Sequence, residues 1–266
     1  MASYDLLGNI ALVKFDRSEK ISSKKIWAEK FLKTHKQITT VLEKSSKISG
    51  RLRTPKTKYI SGIKTSESLY RENNCLFRLN VDTCYFSPRL SSERLELADK
   101  VKKNESVLVM FGGVAPFAVV IAKNSKAKKV VSIELGKDCS KYALENVKRN
   151  KLKNVEIIQG DVRRVLSKIK EKFDRIVMSR PNLKDSFLDV AFKHIKKNGT
   201  IHYYGFYLES EKEKLIELIN YEANKAKKKI RILKIKKAGE IGKRKFRWRV
   251  DVKVFDKQNT LASCPL

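Results

Sequence analysis

The chain has 266 residues, of which 41% are hydrophobic, enough to build a real core and too many for a disordered chain. Sixty Lys and Arg against 29 Asp and Glu leave a formal net charge of +31, which self-repels unless a polyanion neutralises it. No apolar stretch approaches the length of a membrane span, and the basic excess in both halves of the chain points to nucleic acid as a partner.

Residues 1–15 lack a charged start followed by a long apolar run, so no secretion signal is expected. Residues 10–15 alternate as a strand, and 24–34 carry Ile26, Trp27 and Phe31 at helical spacing. Residues 45–62 are polar and basic, with Gly50, Pro55 and Gly62 marking turns between short strands. Residues 1–82 therefore read as a small α+β module. From Glu93 onward the pattern changes. Strands are predicted at 106–110, 130–133, 155–158, 175–178 and 200–204, with helices at 116–123, 139–150, 162–170, 187–197 and 209–226. Such alternation makes a mostly parallel sheet covered on both faces. Two last strands, 229–237 and 245–255, are joined by residues 238–244 with Gly239 and Gly242, and read as an antiparallel hairpin closing the sheet edge. The expected fold class is thus α/β, with domains at 1–82 and 83–258 and a tail at 259–266. Cys75, Cys84, Cys139 and Cys264 show no paired spacing, so neither a metal site nor a disulfide framework is expected.

Chemistry concentrates at the predicted strand ends. Phe111-Gly112-Gly113-Val114-Ala115-Pro116-Phe117 follows the first strand of the alternating region and opens a helix, where glycines let the backbone approach a ligand. Glu134 ends the second strand, where a carboxylate can accept ribose hydroxyls, and Asp161 follows the third, where it could accept an adenine amino hydrogen. Ser179-Arg180-Pro181 ends the fourth, where a substrate base would sit. In an open α/β sheet these ends share one crevice, so the four signals together point to a nucleoside cofactor; singly, each acid is better read as a helix cap or exposed charge. Seven strands with a terminal hairpin is also the Rossmann-like architecture of class I methyltransferases.

Tyr85-Phe86-Ser87-Pro88-Arg89-Leu90-Ser91-Ser92-Glu93-Arg94 closely resembles the YFSPRLxxER signature of the archaeal and eukaryotic tRNA guanine-N1 methyltransferases. The likeness extends through residues 4–11, 35–42 and 50–53, then 111–117, 160–163 and 174–181. No counterpart of the family's extra N-terminal domain is expected, so the chain is expected to start at the second domain. The resemblance implies S-adenosylmethionine as cofactor and tRNA as partner, in a cytoplasmic monomer whose acceptor is the guanosine immediately 3′ of the anticodon. It gives Glu93 the part of general base for the guanine N1 proton, because a lactam N–H is a poor nucleophile until deprotonated. It gives Arg53 the part of steadying charge on the purine O6, a task suited to a planar, permanently charged guanidinium. Tyr85, Ser179 and Pro181 match positions near the target base. Arg94, Phe111, Gly113, Val114, Glu134, Leu135, Asp161, Val162 and Ser179 match the cofactor side.

Departures accompany the match. The family usually has an acid at Val109, alanine at Gly112, glycine at Ala115 and Asn-Leu-Pro at Ser179-Arg180-Pro181. The last change makes carbon methylation of the tricyclic wyosine precursor at the same nucleotide an alternative or an added activity. A catalytically retired tRNA-binding protein is a third expectation. A relative that transfers an aminocarboxypropyl group from the same cofactor is disfavoured by the retained Glu93 and Arg53.

Overall fold

The computed structural model describes residues 2–45, 56–179 and 185–256, so Arg53, Arg180, Pro181, Cys264 and the tail lie outside the described residues. The N-terminal part holds β1 (Ser3–Leu7), β2 (Ile10–Lys14), α1 (Ile21–Thr34), β3 (Thr40–Lys44) and β4 (Thr57–Gly62). Its four strands form one sheet in chain order, with β2 and β3 parallel across α1 and the other pairs antiparallel. Ile10, Ala11, Leu12 and Val13 are all buried, so β2 does not alternate as predicted. Both its faces are covered. Ala11 and Val13 pack with Ala28 and Phe31 of α1, while Ile10 and Leu12 pack with Leu79, Val81 and Val114 from the rest of the chain.

A hairpin of β5 (Glu67–Glu72) and β6 (Cys75–Asn80) follows, turning through Asn73 and Asn74, both at positive φ. Asparagine tolerates that conformation, which matches the twist of paired strands. Two further asparagines hold its outer edge. Asn150 accepts from Leu76 N at 2.9 Å and donates to Leu76 O at 2.8 Å, and Asn146 does the same for Arg78 at 2.7 and 3.1 Å.

The remainder is a seven-stranded sheet of order β12-β13-β11-β10-β7-β8-β9. Helix α2 (Ser91–Asp99) precedes it, and then come β7 (Ser106–Met110), α3 (Pro116–Asn124), β8 (Lys129–Glu134), α4 (Lys137–Arg149), β9 (Val155–Gln159) and α5 (Val162–Leu166). β10 (Phe173–Met178), α6 (Leu188–His194), β11 (Ile195–Leu208), α7 (Lys212–Lys225), β12 (Lys228–Gly242) and β13 (Lys245–Asp256) complete it. Strands β7 to β11 run parallel and β12–β13 antiparallel, as the order of elements predicts.

Three sequence expectations are corrected. The predicted helix at 187–197 stops at His194, because Ile195 pairs with Phe173 and begins β11. The helix at 162–170 shortens to five residues. The predicted loop at 238–244 is mostly strand: β12 runs on to Gly242, and Gly239, at φ +148, sits at a shift in register against β13. That glycine marks a bulge, which bends a strand without ending it.

A chain of buried polar groups crosses the sheet at β10, β11 and β13. Arg175 donates to His202 Nε2 at 2.7 Å, so that nitrogen is the acceptor and Nδ1–H donates to Asp251 at 2.7 Å. Burial pushes the His202 imidazole below its usual 6.5, against the pull of the Asp251 carboxylate. A histidine with a lowered pKa binds fewer protons folded than unfolded, so its contribution is full above about pH 6.5 and is lost as pH falls below it. The melting temperature should therefore decline between about pH 7 and 5. In His202→Asn, whose amide can donate to Asp251 without titrating, the decline should begin only where carboxylates protonate, below about pH 4.5. Melting curves across pH check this, and an unchanged profile in the variant would place the acid sensitivity elsewhere.

Candidate active site

The carboxyl ends of β7, β8, β9 and β10 open onto a cavity of about 920 Å³. The loop after β7 shapes its floor: Phe111, Gly113 and Ala115 all have positive φ, near +60°, before Pro116 starts α3. At Gly112 a side chain has no room, because a Cβ there would lie 2.1 Å from Ser132 Oγ. At Gly113 the nearest atom to such a Cβ is 3.8 Å away, and this residue lines the cavity.

Glu134 holds the loop in place. One carboxylate oxygen accepts from Gly113 N at 2.8 Å and the other from Gly136 N at 2.7 Å. The same acid that the strand-end pattern offers to a ribose therefore also ties two backbone turns together. Asp161 caps α5 by accepting from Arg163 N at 3.0 Å and more weakly from Arg164 N, and it too lines the cavity. Ser179 donates to the carbonyls of Met110 and Phe111, 3.3 Å away in each case. Phe187 packs edge-on against Phe111, and Arg163 lies over its ring while pairing with Asp185 and Asp189.

Of the residues predicted for the site, Tyr85, Arg94, Phe111, Gly113, Glu134, Leu135, Asp161, Val162 and Ser179 line this one cavity. Val114 does not; it packs behind the loop with Leu79 and Cys139. Arg53 and Pro181 lie outside the described residues. Val109, the departure from a family acid, is buried in mid-strand among valines and alanines and is not part of the wall. Arg94 is no loose cation: it forms a buried bidentate pair with Glu72, donates to Ser87 O at 3.1 Å and covers the Phe86 ring.

Glu93 lies one layer behind the cavity. Its carboxylate takes hydrogen bonds from Arg249 at 2.7 Å and Tyr204 at 3.1 Å and an ion pair from Lys236. Beside it Glu96 accepts from Arg249 at 2.5 Å, and this bond with that of Lys236 holds its carboxyl down to about 2.

Sequence reasoning missed several wall residues. Asp5, Leu6, Leu12 and Lys44 come from the N-terminal sheet, and Tyr204, Phe206, residues 238–241 and Arg247 from the terminal strands. The Arg247 guanidinium lies 5.3 Å from the Phe206 ring centre and reaches Tyr85 Oη at 3.4 Å. Arg89, inside the signature, pairs with Asp5 at 2.8 Å and so joins the N-terminal sheet to the catalytic side. No local pattern marks these residues, since their place depends on how distant elements dock.

Known proteins share this sequence pattern and fold. The TRM5/TYW2 methyltransferase domain matches residues 68–233, and the TYW2 N-terminal domain matches residues 1–65. The chain is 38% identical over 232 residues to the tRNA (guanine(37)-N(1))-methyltransferase Trm5b of Pyrococcus abyssi, covering 87% of this chain and 68% of the relative. It is 33% identical over 304 residues to the tRNA (guanine(37)-N(1))/4-demethylwyosine(37)-methyltransferase Taw22 of Nanoarchaeum equitans, covering 94% and 99%. It is also 33% identical to a tRNA(Phe) (4-demethylwyosine(37)-C(7)) aminocarboxypropyltransferase of Methanocaldococcus jannaschii, covering 85% and 92%. Among solved structures, wild-type Trm5b from Pyrococcus abyssi superposes with a TM-score of 0.85 at 35% identity, covering 95% of this chain and 75% of that one. The TYW2 of M. jannaschii in complex with AdoMet gives 0.74 at 26% identity, covering 96% and 100%.

The Ser132 hydroxyl leaves no room for a methyl group at Gly112. Gly112→Ala alone should cost about 1–3 kcal/mol of stability through overpacking against the serine hydroxyl. Adding Ser132→Ala removes that oxygen, so the double variant should recover most of the loss. Thermal unfolding of the two single variants and the pair checks this; strict additivity would mean that the contact is not the cause.

Proposed function

The chain belongs to the TRM5/TYW2 methyltransferase family, and we propose that it transfers a methyl group from S-adenosylmethionine to N1 of the guanosine immediately 3′ of the anticodon in tRNA. The observation that carries this is the single cavity in which the Gly113 backbone, Glu134, Asp161 and Ser179 meet Tyr85 of the signature segment. The residues fit a nucleoside. A carboxylate oxygen has two acceptor sites, so Glu134 can hold its loop and still accept a ribose hydroxyl. Asp161 can do the same for an amino hydrogen, and Leu135, Val162 and Phe187 offer apolar faces for a purine. The cofactor supplies an electrophilic methyl group; the protein supplies position and charge.

On the acceptor side, Glu93 is the base for the N1 proton, and Arg53 steadies the purine O6. Ser179 spends its one hydroxyl hydrogen on backbone carbonyls, which leaves its oxygen to accept. An acceptor at that place suits guanine, which presents N–H groups along its N1 edge. Pro181, two residues further along the chain, is the matching proline of the resembled motif. A second activity on the 4-demethylwyosine of the same position has support in the likeness to the Taw22 protein, whose name carries both activities and which matches over 99% of its length. Retention of Glu93 and Arg53 favours methyl over aminocarboxypropyl transfer.

Residues 1–82 form the RNA-facing module in this scheme, ahead of the methyltransferase domain at 83–258, since Asp5, Leu6 and Lys44 reach the cavity that Tyr85 lines. The enzyme acts as a monomer in the cytoplasm; the free thiols of Cys75, Cys84 and Cys139 suit a reducing compartment. Among the described residues, no helix is long and apolar enough to cross a membrane.

Mass analysis of tRNA nucleosides after incubation with labelled S-adenosylmethionine should yield 1-methylguanosine from unmodified tRNA. Label appearing only in a tricyclic base would assign the carbon reaction instead, and no label in any tRNA would leave an RNA-binding protein. tRNA affinity should also fall on the order of a thousandfold between about 50 and 200 mM salt, as expected when six or more phosphates are neutralised. A nearly flat salt series would show the +31 charge to be an idle solvated face.

A further inference from the structure

Glu93 has no direct place on the cavity wall, yet a base must receive a proton from a base-pairing edge inside that cavity. Tyr204 of β11 touches both. It lines the cavity, is almost fully buried, and its hydroxyl donates to Glu93 Oε2 at 3.1 Å. Two cations hold the rest of the carboxylate: Arg249 of β13 donates to the same oxygen at 2.7 Å, and Lys236 of β12 pairs with the other. Arg249 is itself locked by Glu96 of α2 and by Asp251, so the carboxylate cannot swing toward the cavity without giving up two cations.

We propose that Tyr204 is a catalytic residue of the methyl transfer, its hydroxyl taking the acceptor proton at N1 while passing its own proton to Glu93. This rests on the assignment of Glu93 as the base. The bonds balance. The N1–H bond breaks as a new O–H forms on Tyr204, and the original O–H of Tyr204 breaks as one forms on Glu93 Oε2. The electron pair freed at N1 makes the N–C bond to the methyl group, and the pair of the broken S–C bond stays with sulfur. Burial and the Glu93 carboxylate raise the Tyr204 hydroxyl well above the ordinary value of 10, against the pull of the Arg249 guanidinium, so the phenol holds no standing charge and the two proton movements run together. Glu93 then gives the proton up to water on the side where Lys236 is about a quarter exposed, and Lys236 stays charged throughout, which returns the site to its starting state.

Single-turnover methylation separates the possibilities. Tyr204→Phe keeps the ring and its packing against Phe117, so binding of tRNA and of S-adenosylmethionine should stay within about twofold while the chemical step slows by about 10²–10⁴-fold. Raising the pH should restore part of the rate in Tyr204→Phe and in Glu93→Gln, because guanine then loses its N1 proton to solvent; a packing defect gives no such rescue. In mixtures of light and heavy water the unaltered enzyme should show a curved rate dependence, since two protons move in one step. A linear dependence overturns the relay even if the Phe variant fails to fold. If Glu93→Gln is slow and Tyr204→Phe runs at the normal rate, the relay falls and Glu93 remains the base. A fully active Glu93→Gln removes the base itself, and with it the premise.

Discussion

One guanidinium, that of Arg249, organises the interior of this protein. It has no exposed surface and meets Glu93, Glu96 and Asp251 at once. Its Nε lies 2.9 Å from Asp251 in an ion pair without hydrogen-bond geometry, so that contact acts by charge alone. A charge moved from water into a protein costs several kcal/mol unless it is paired, and a buried cluster of this kind contributes little net stability. What the cluster fixes is position. Arg249 joins α2, which carries the end of the signature segment, to β13 at the closing edge of the sheet. Through Asp251, His202 and Arg175 the same line of contacts reaches Glu105, just before β7. The back wall of the cavity is thereby tied to the strand from which its floor loop springs.

Much of the catalytic sheet was legible because parallel strands buried on both faces read as apolar runs, and turns rich in glycine and charge separate them. Residues 106–110 illustrate this: Ser-Val-Leu-Val-Met is wholly buried and bounded by polar residues on one side and glycines on the other. The strand-end acids were legible for the same reason, since topology alone brings the ends of neighbouring parallel strands together. Helix α2 was not, as its apolar positions form only a weak stripe around a buried Glu-Arg pair. β12 was misread at Gly239 because a bulge glycine and a turn glycine look alike in sequence. Arg249 and Lys236 could not be found at all. Each sits in a basic stretch like many others here, and only the register of β12 and β13 against β11 selects which cations turn inward.

The acids of the site show how one side chain serves structure and chemistry together. Read singly from sequence, Asp161 is a helix cap, and the structure agrees; its place on the cavity wall adds to that role without replacing it. Glu134 likewise spends one lone pair per oxygen on the backbone. A site assembled in this way is already set before any ligand enters, which reduces the ordering cost of binding. The same economy explains the tolerance of Ala115 at positive φ: the loop is held from outside by Glu134 and by the backbone bond from Gly112 N to Ile133 O, so a local penalty on the order of 1–2 kcal/mol is absorbed.

The asparagines flanking the β5–β6 hairpin have a consequence for life in a crowded cell. A two-stranded ribbon offers two open edges, and each is a template on which another chain can lay a strand. Here Asn146 of α4 and Asn150 just past its end, four residues on, present the alternating acceptor and donor that a neighbouring strand would present. On the other side Asn9 accepts from Leu69 N at 2.9 Å. Side-chain amides thus imitate the backbone they replace, and the ribbon is closed to recruitment without being built into any larger sheet.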